Sequence, residues 1–327
     1  MKVNFELKYV FCILLCLFLV VGLFTGKSGG NITVAMTQDA SALGAVYLVD
    51  LNSSARNNLL ADYNFTFSPT SRSAEKFFLS GDADIAVISA ERAALLAASN
   101  EDIVCVAYLS KPSYSIFTTN ESAKSVSDIS GKIVYYNSTT EVGEYIFRAV
   151  CNDAGINPDI SITLRALGTN RELRQELASY NDRKMIIASD PFAASLSNSS
   201  AGIKLINLVE EFEKSRPDTA LIGSCVVTTR EFAESHESVI SEFLEQYEVS
   251  AKKCKEDAAA ASELAVEYGI SPKALTAETV INTNELEVVT GEKFKEDMTS
   301  YFDFIAENNI VTITRKPTDS FYYILEN

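Results

Sequence analysis

The sequence predicts an α/β protein built as two like lobes, and three observations predict it. Short apolar strands alternate with helical stretches along most of the chain. One strand–turn–helix order occurs twice, about one hundred residues apart. Polar residues cluster where strands end and helices begin. Strands alternating with helices in this way argue for parallel β-sheets with covering helices.

The elements follow in order. "NITVAMTQDASALGAVYLVD" reads as a strand over residues 32–36, a polar loop and a helix. "YNFTFSPTSRSAEKFFLSG" repeats that order. "SGDADIAVISAERAALLAA" packs a Gly81-Asp82 turn, an apolar run over 85–88 and a helix opened by Ser89-Ala90-Glu91. "IVCVAYLS" is a fourth strand. "SDISGKIVYYNSTTEVGEYIFRAVCNDAGI" begins the order again, and "ISITLRAL" and "KMIIAS" supply further strands. Residues 231–268 read as helix with little interruption, with Phe232, Val239, Ile240, Phe243, Leu244 and Tyr247 on one face. "GISPKAL" breaks the run, and two more helices are expected before the end of the chain.

The repeat is specific in its offsets. Thr70-Ser71-Arg72 opens a helix, Gly81-Asp82 ends it, a strand follows and Ser89 opens the next helix. Thr169-Asn170-Arg171, Asn181-Asp182, residues 185–188 and Ser189-Asp190-Pro191 reproduce this order. The offset is 99 at Thr70/Thr169 and Arg72/Arg171, and 100 at Asp82/Asp182 and Ser89/Ser189.

Bulk properties bound the function. A chain of 327 residues with 47% hydrophobic content can bury the cores of two domains. Residues 1–30 carry +2, from Lys2, Lys8 and Lys27 against Glu6, so the rest of the chain carries −18 of the total −16. Such a surface repels nucleic acid and anionic lipid, and no basic patch offsets it. "YVFCILLCLFLVVGLF" is an apolar run of sixteen residues after a mildly positive start, and "TGKSGG" leads out of it. It reads as a signal anchor or a signal peptide. The missing A-x-A site favours an uncleaved anchor, with Lys2 and Lys8 inside and the remainder outside. Cys105, Cys151, Cys225 and Cys254 fit no zinc spacing and read as buried thiols, with one disulfide as the alternative. Six N-x-S/T sequons stand at Asn31, Asn52, Asn64, Asn120, Asn137 and Asn198.

The polar strand ends are the candidate site. In an open α/β sheet, ligands bind beyond the carboxyl ends of the strands, where helix starts offer N–H groups and a positive dipole end. The residues singled out are Thr37, Gln38, Asp39 and Ser41, then Thr70, Ser71 and Ser89, then Ser138, Thr139, Thr140 and Asp190. Each also suits plain helix capping. Arg72, Arg92 and Arg171 lie near helix starts, with Glu75, Glu91 and Glu172 placed to neutralise them; otherwise one of the arginines meets an anionic ligand. Catalytic groups are missing. His236 is the lone histidine, in the solvated "AESHES", and no G-x-S-x-G, H-E-x-x-H, P-loop or G-x-G-x-x-G occurs. No catalytic residue, metal site or cofactor is expected.

Several stretches carry a family resemblance: "GDADIAVISAERAALLA", "SDISGKIVYYNSTTEVGEYIFRAVCNDAGI", "ASDPFAASL", "CVVTTREFAESHESVISEFLEQYEVS", "ELAVEYGI" and "TDSFYY". In this order the chain resembles a type II periplasmic-type substrate-binding protein of an ABC importer, nearest the nitrate/sulfonate/thiamine-precursor group. The resemblance implies a two-lobed periplasmic binding protein type II fold with a ligand cleft between lobes. It implies chain crossings near residues 111–118, which adds Tyr114 to the candidate ligand residues, and near 220–226. The expected organisation is then a leader at 1–30, lobe one at 31–115, lobe two at 116–222 and the rest of lobe one, mostly helical, at 223–327. Many relatives carry a Gly- or Pro-rich first loop. Here residues 38–43 read QDASAL, and Asp39 argues against a simple inorganic anion and for an amine or a heterocycle.

The function so implied is an extracytoplasmic solute-binding protein, monomeric and held at the membrane, that passes a small organic ligand to a permease and its ATPase. One alternative is an enzyme on the same fold, similar to menaquinone-pathway enzymes or pyrimidine synthases. The other is a tethered sensor, for which the eight residues before the apolar run hold no output domain.

Overall fold

A computed structural model describes residues 29–54, 57–138, 141–179, 181–199, 202–308 and 316–325. The apolar run expected to anchor the chain lies outside them. Among the described residues no helix is long and apolar enough to cross a membrane.

The strands form two sheets. The first, in spatial order β11-β4-β10-β3-β1-β2, has six strands. They are β1 (Asn31–Thr37), β2 (Asp62–Ser68), β3 (Ile85–Ser89), β4 (Ile103–Ser110), β10 (Ser224–Thr229) and β11 (Leu286–Val289). The second has the order β7-β6-β8-β5-β9. Its strands are β5 (Tyr114–Thr118), β6 (Ile133–Asn137), β7 (Thr163–Leu167), β8 (Lys184–Ser189) and β9 (Ile203–Asn207). The chain leaves the first sheet after Ser110 and returns to it at Ser224. The repeat therefore falls on two separate sheets: Thr70 caps the helix Ser71–Leu79, and Thr169 caps the helix Asn170–Leu177.

The expectation of parallel sheets holds only in part. β1 runs parallel to β2 and β3, and β6 parallel to β7 and β8. But β10 lies antiparallel between β3 and β4, and β5 lies antiparallel between β8 and β9. The reason is topological. Strand–helix–strand units are local and force parallel neighbours, whereas β5 and β10 enter their sheets directly from the other lobe. The short strand β11, in "NELEVV", was not expected; it pairs antiparallel with β4 at the sheet edge. The expected helical run 231–268 divides into Arg230–Ser235, Glu237–Glu256 and Ala258–Glu267. Asp257 sets the second break, its carboxylate accepting from Ala260 N–H at 3.0 Å.

The helix Glu237–Glu256 buries Val239, Ile240, Phe243, Leu244 and Tyr247, the face expected from spacing, in the apolar cluster that also holds Ile32, Val34 and Met36 of β1. On the other face of the first sheet one apolar cluster runs through both lobes. It joins Ile88 and Tyr108 to Ile116, Val134, Phe147 and Phe212. The last long helix, Gly291–Glu307, completes it, with Phe304 edge-on to Phe212 at 5.0 Å between ring centres. Cys105, Cys151, Cys225 and Cys254 are buried free thiols, so the disulfide alternative is not realised.

The two crossings touch at Gly223. Its N–H donates to Ser110 O at 2.8 Å, and its carbonyl accepts from Ala90 N–H at 3.1 Å. A Cβ there would lie 2.6 Å from the Lys111 carbonyl oxygen and 2.9 Å from Pro112 N, so the close approach requires glycine.

Candidate ligand cleft

On the first lobe the strand ends are tied together by hydroxyls. Ser89 N–H donates to Ser71 Oγ at 3.1 Å, and Ser71 Oγ lies 3.1 Å from Thr37 Oγ1. Thr37 Oγ1 donates to Val87 O at 3.2 Å. Since the Thr37 proton is spent on that carbonyl, Ser71 donates to Thr37, and the three bonds run in one direction. Asp39 caps the short helix Ala40–Gly44. Its carboxylate accepts from Ser41 N–H at 2.9 Å, from Ser41 Oγ at 2.5 Å and from Ser224 Oγ at 3.0 Å. Burial raises the Asp39 carboxyl above its ordinary value, and the serine bonds oppose the shift. Ser224 opens β10 opposite both Ser89 and Ser110, so this bond ties the first loop to the returning strand.

The remaining expected residues divide. Gln38 Nε2 donates to Gly269 O at 2.9 Å. Thr70 and Ser73 form a capping box. Ser138 is exposed, its N–H on Leu167 O at 2.8 Å. Thr139 and Thr140 lie outside the described residues. Asp190 is fully engaged: it accepts from Ser113 Oγ and Asn284 Nδ2, both at 2.8 Å, and from Ala194 N–H at 2.9 Å. It therefore bridges β8, the first crossing and the segment before β11. Lys111 makes a second bridge between lobes, to Glu213 at 2.9 Å and Glu285 at 2.7 Å. The structure thus brings Thr37, Asp39, Ser41, Ser71, Ser89, Tyr114 and Asp190 to the crossings.

Tyr114 stands opposite Ser189 in the sheet register, and its ring lies against Gly143, where a Cβ would come within 2.7 Å of it. Its hydroxyl has no hydrogen-bond partner among the described residues.

The predicted arginine pairings change. Arg92 Nε donates to Glu75 Oε2 at 2.6 Å, while Arg72 and Arg171 are exposed. Glu172 accepts from Thr169 Oγ1 at 2.9 Å and completes that cap. Glu91 meets no arginine. It turns inward, where its carboxylate accepts from the Tyr301 and Ser89 hydroxyls. Burial raises its carboxyl above the ordinary value; burial first, and then the charge of Glu91, raises the Tyr114 and Tyr301 phenols beside it. Sequence reasoning missed Glu91, Ser224 and Asn284 as cleft residues. The signal available for Glu91 was its place two residues after a strand end.

His236 stacks on Phe232 at 4.4 Å between ring centres. Among the described residues no group of three or more His, Cys, Asp and Glu side chains is placed to hold a metal ion.

Two sheets linked by two crossings, with the strand ends of each facing the junction, define the periplasmic binding protein fold. The alkanesulfonate-binding protein of Xanthomonas axonopodis pv. citri, solved with MOPS, superposes with a TM-score of 0.67 at 15% identity, over 90% of this chain and 98% of that one. The periplasmic aliphatic sulphonate-binding protein of Escherichia coli gives 0.69 at 15% identity, over 89% and 96%. An ABC transporter protein of Parabacteroides distasonis gives 0.71 at 13% identity, over 90% and 99%. At these identities the likeness is one of fold. The chain itself belongs to the NMT1/THI5-like family, whose model matches residues 64–261. Comparison with curated protein sequences gives no match.

Proposed function

We propose that the chain is an extracytoplasmic solute-binding protein that captures a small organic ligand between its lobes and delivers it to an ABC permease and its ATPase. The observation that carries this reading is the junction itself. Hydroxyl, amide and carboxylate groups from both lobes converge there, and among the described residues no nucleophile is paired with a base. The fold neighbours, two named as sulfonate-binding proteins and one as an ABC transporter, support the same reading. In it, residues 31–115 and 223–327 form one lobe, 116–222 the other, and the chain works as a monomer. Residues 1–30 hold it at the membrane. Thr37, Asp39, Ser41, Ser71, Ser89 and Tyr114 line the cleft, with Ser138 on the opposite wall, and Thr139 and Thr140 are further candidate ligand residues by sequence. Asp190 positions the lobes.

The test is a thermal-shift screen of the full chain against sulfonates, amino acids, amines, pyrimidines, flavins and oxyanions. A ligand at 100 times its Kd stabilises the native state by about 2.7 kcal/mol. Hits recovered unchanged by mass spectrometry, with a smaller radius in solution scattering, are the expected result. Turnover of a hit by the purified protein would replace this reading with that of an enzyme on the same fold.

A further inference from the structure

Of the three acids at the crossings, Glu91 accepts the fewest hydrogen bonds from other residues. The other two are more heavily bonded. Asp39 accepts three protein hydrogen bonds, and so does Asp190. Glu91 accepts from the Tyr301 and Ser89 hydroxyls, while a carboxylate offers about four lone-pair sites. No cation pairs with it among the described residues, since neighbouring Arg92 is turned to Glu75. Glu91 and Tyr114 are both partly open to solvent, and the Tyr114 hydroxyl has no described partner.

The charge here suits a donor and not an anion. A helix start binds an anion through free N–H groups. At this start Ser89 N–H is spent on Ser71 and Ala90 N–H on Gly223 O. A sulfonate placed at this floor would meet a carboxylate with no cation beside it among the described residues. The exposed arginines are elsewhere. Arg72 and Arg171 stand at the helix starts that follow β2 and β7, the outermost strands of their sheets and the furthest from the crossings.

We propose that the floor of the cleft is a nitrogen-recognition subsite, in which Glu91 accepts from an ammonium or N–H-bearing head of the ligand while Tyr114 covers the same group with its hydroxyl and ring. A cation against a tyrosine face, with a carboxylate beside it, is favoured by both contacts. The proposal rests on the solute-binding reading and names the ligand class for its site.

The experiment uses matched pairs on the full chain. Butylamine and butanesulfonate share one tail, and benzylamine and benzenesulfonate another. Calorimetry of wild type should show each amine binding at least about tenfold tighter than its sulfonate. Glu91→Gln, which keeps an acceptor for Tyr301, should remove that preference, and Tyr114→Phe should weaken the amines only a few-fold. Three results would overturn the subsite: sulfonates binding tighter in wild type, no response to either amine at millimolar concentration, or unchanged amine affinity in Glu91→Gln. The wild-type pairs decide the matter even if a variant fails to fold. Failure of the solute-binding reading is a separate result, in which a bound amine is consumed and not released intact.

Discussion

The two lobes share one grammar and use it differently. In the first lobe the strand ends bond to each other: Ser89 to Ser71, Ser71 to Thr37, Asp39 to Ser224. In the second lobe Asp190 reaches across to Asn284, and Asn198 reaches Leu275 O at 3.1 Å and Thr279 Oγ1 at 3.1 Å, both on the helix Ala274–Thr283 of the first. Burial differs in the same sense. Every residue of β4 is buried, whereas β7 at the edge of the second sheet is largely exposed. The comparison teaches that the first lobe is organised from within, while the second takes part of its cohesion from the first. The helix Gly291–Glu307 and its contact with Phe212 are the main carrier of that dependence.

The largest expected effect tests this dependence. Phe304→Ala removes a buried ring that faces Phe212 of the other lobe. It should cost about 3–5 kcal/mol in urea unfolding, with both lobes lost in one transition. Two separated transitions in wild type would break the comparison, since each lobe would then stand alone. Gly223→Ala comes next, at about 1–3 kcal/mol. Its Cβ meets backbone atoms of Lys111 and Pro112, so the crossings must part. Solution scattering should show a larger radius than wild type, and an unchanged radius would show that the crossings yield without moving the lobes.

Asn284→Ala addresses the bridge alone. Asn284 is buried, and its amide donates to Asp190. The loss should cost about 1–3 kcal/mol, because Asp190 is left with an unmet partner. Asp190→Asn should cost less, since an amide oxygen still accepts from Asn284.

The pH dependence of Glu91 sharpens the first lobe's side of the comparison, since its partner Tyr301 belongs to the same lobe. Burial is the largest cause of its raised value, from an ordinary 4.5, so the native state holds this proton more tightly than the unfolded chain. The stability associated with that proton is fully present below 4.5 and is lost as pH rises through the raised native value. Asp39 acts in the same sense, while Asp153 and Glu176, held down by hydrogen bonds from Arg216 and Lys184, act in the opposite one. The clean observable is therefore the difference between Glu91→Gln and wild type. The variant should gain relative stability as pH rises above 4.5 and level off once the pH has passed the raised native value. A difference that shrinks over that range would mean Glu91 is stabilised as the anion.

Much of this architecture was legible in the sequence because it is local. Thr70 and Thr169 mark their helices through caps that need only the next three residues. The apolar face of Glu237–Glu256 follows from spacing alone. What was not legible is non-local. The reversed entry of β10 depends on a chain that has left for another lobe, and nothing in "CVVTT" records its direction. Glu91 looked like a partner for a neighbouring arginine because sequence distance was the only distance on hand. In space Arg92 turns to Glu75, and Glu91 finds Tyr301, more than two hundred residues away. Asp190 was legible as a cap and as a strand-end acid, but its bond to Asn284 was not.

The smallest expected effects test whether the repeat is equivalent where it looks most alike. Thr70 and Thr169 sit 99 residues apart, and each accepts from an N–H three residues on, Ser73 and Glu172, at 3.2 Å. Each cap is exposed, and each threonine also bonds the side chain at that third position, Ser73 and Glu172. Thr70→Ala and Thr169→Ala should therefore cost about 1 kcal/mol apiece, within a few tenths of each other. The next position should behave differently. Ser71 Oγ serves Ser89 N–H and Thr37 inside the first lobe, so Ser71→Ala leaves a backbone donor without its partner and should cost more than its cap neighbour, about 1–3 kcal/mol. Asn170 is exposed and bonds Asn137 through side chains alone, so Asn170→Ala should cost less than Ser71→Ala. Four thermal melts measure the set. Equal losses at Ser71 and Asn170 would mean that the first lobe's strand ends are no more cross-linked than the second's, and the contrast between the lobes would then rest on the core alone.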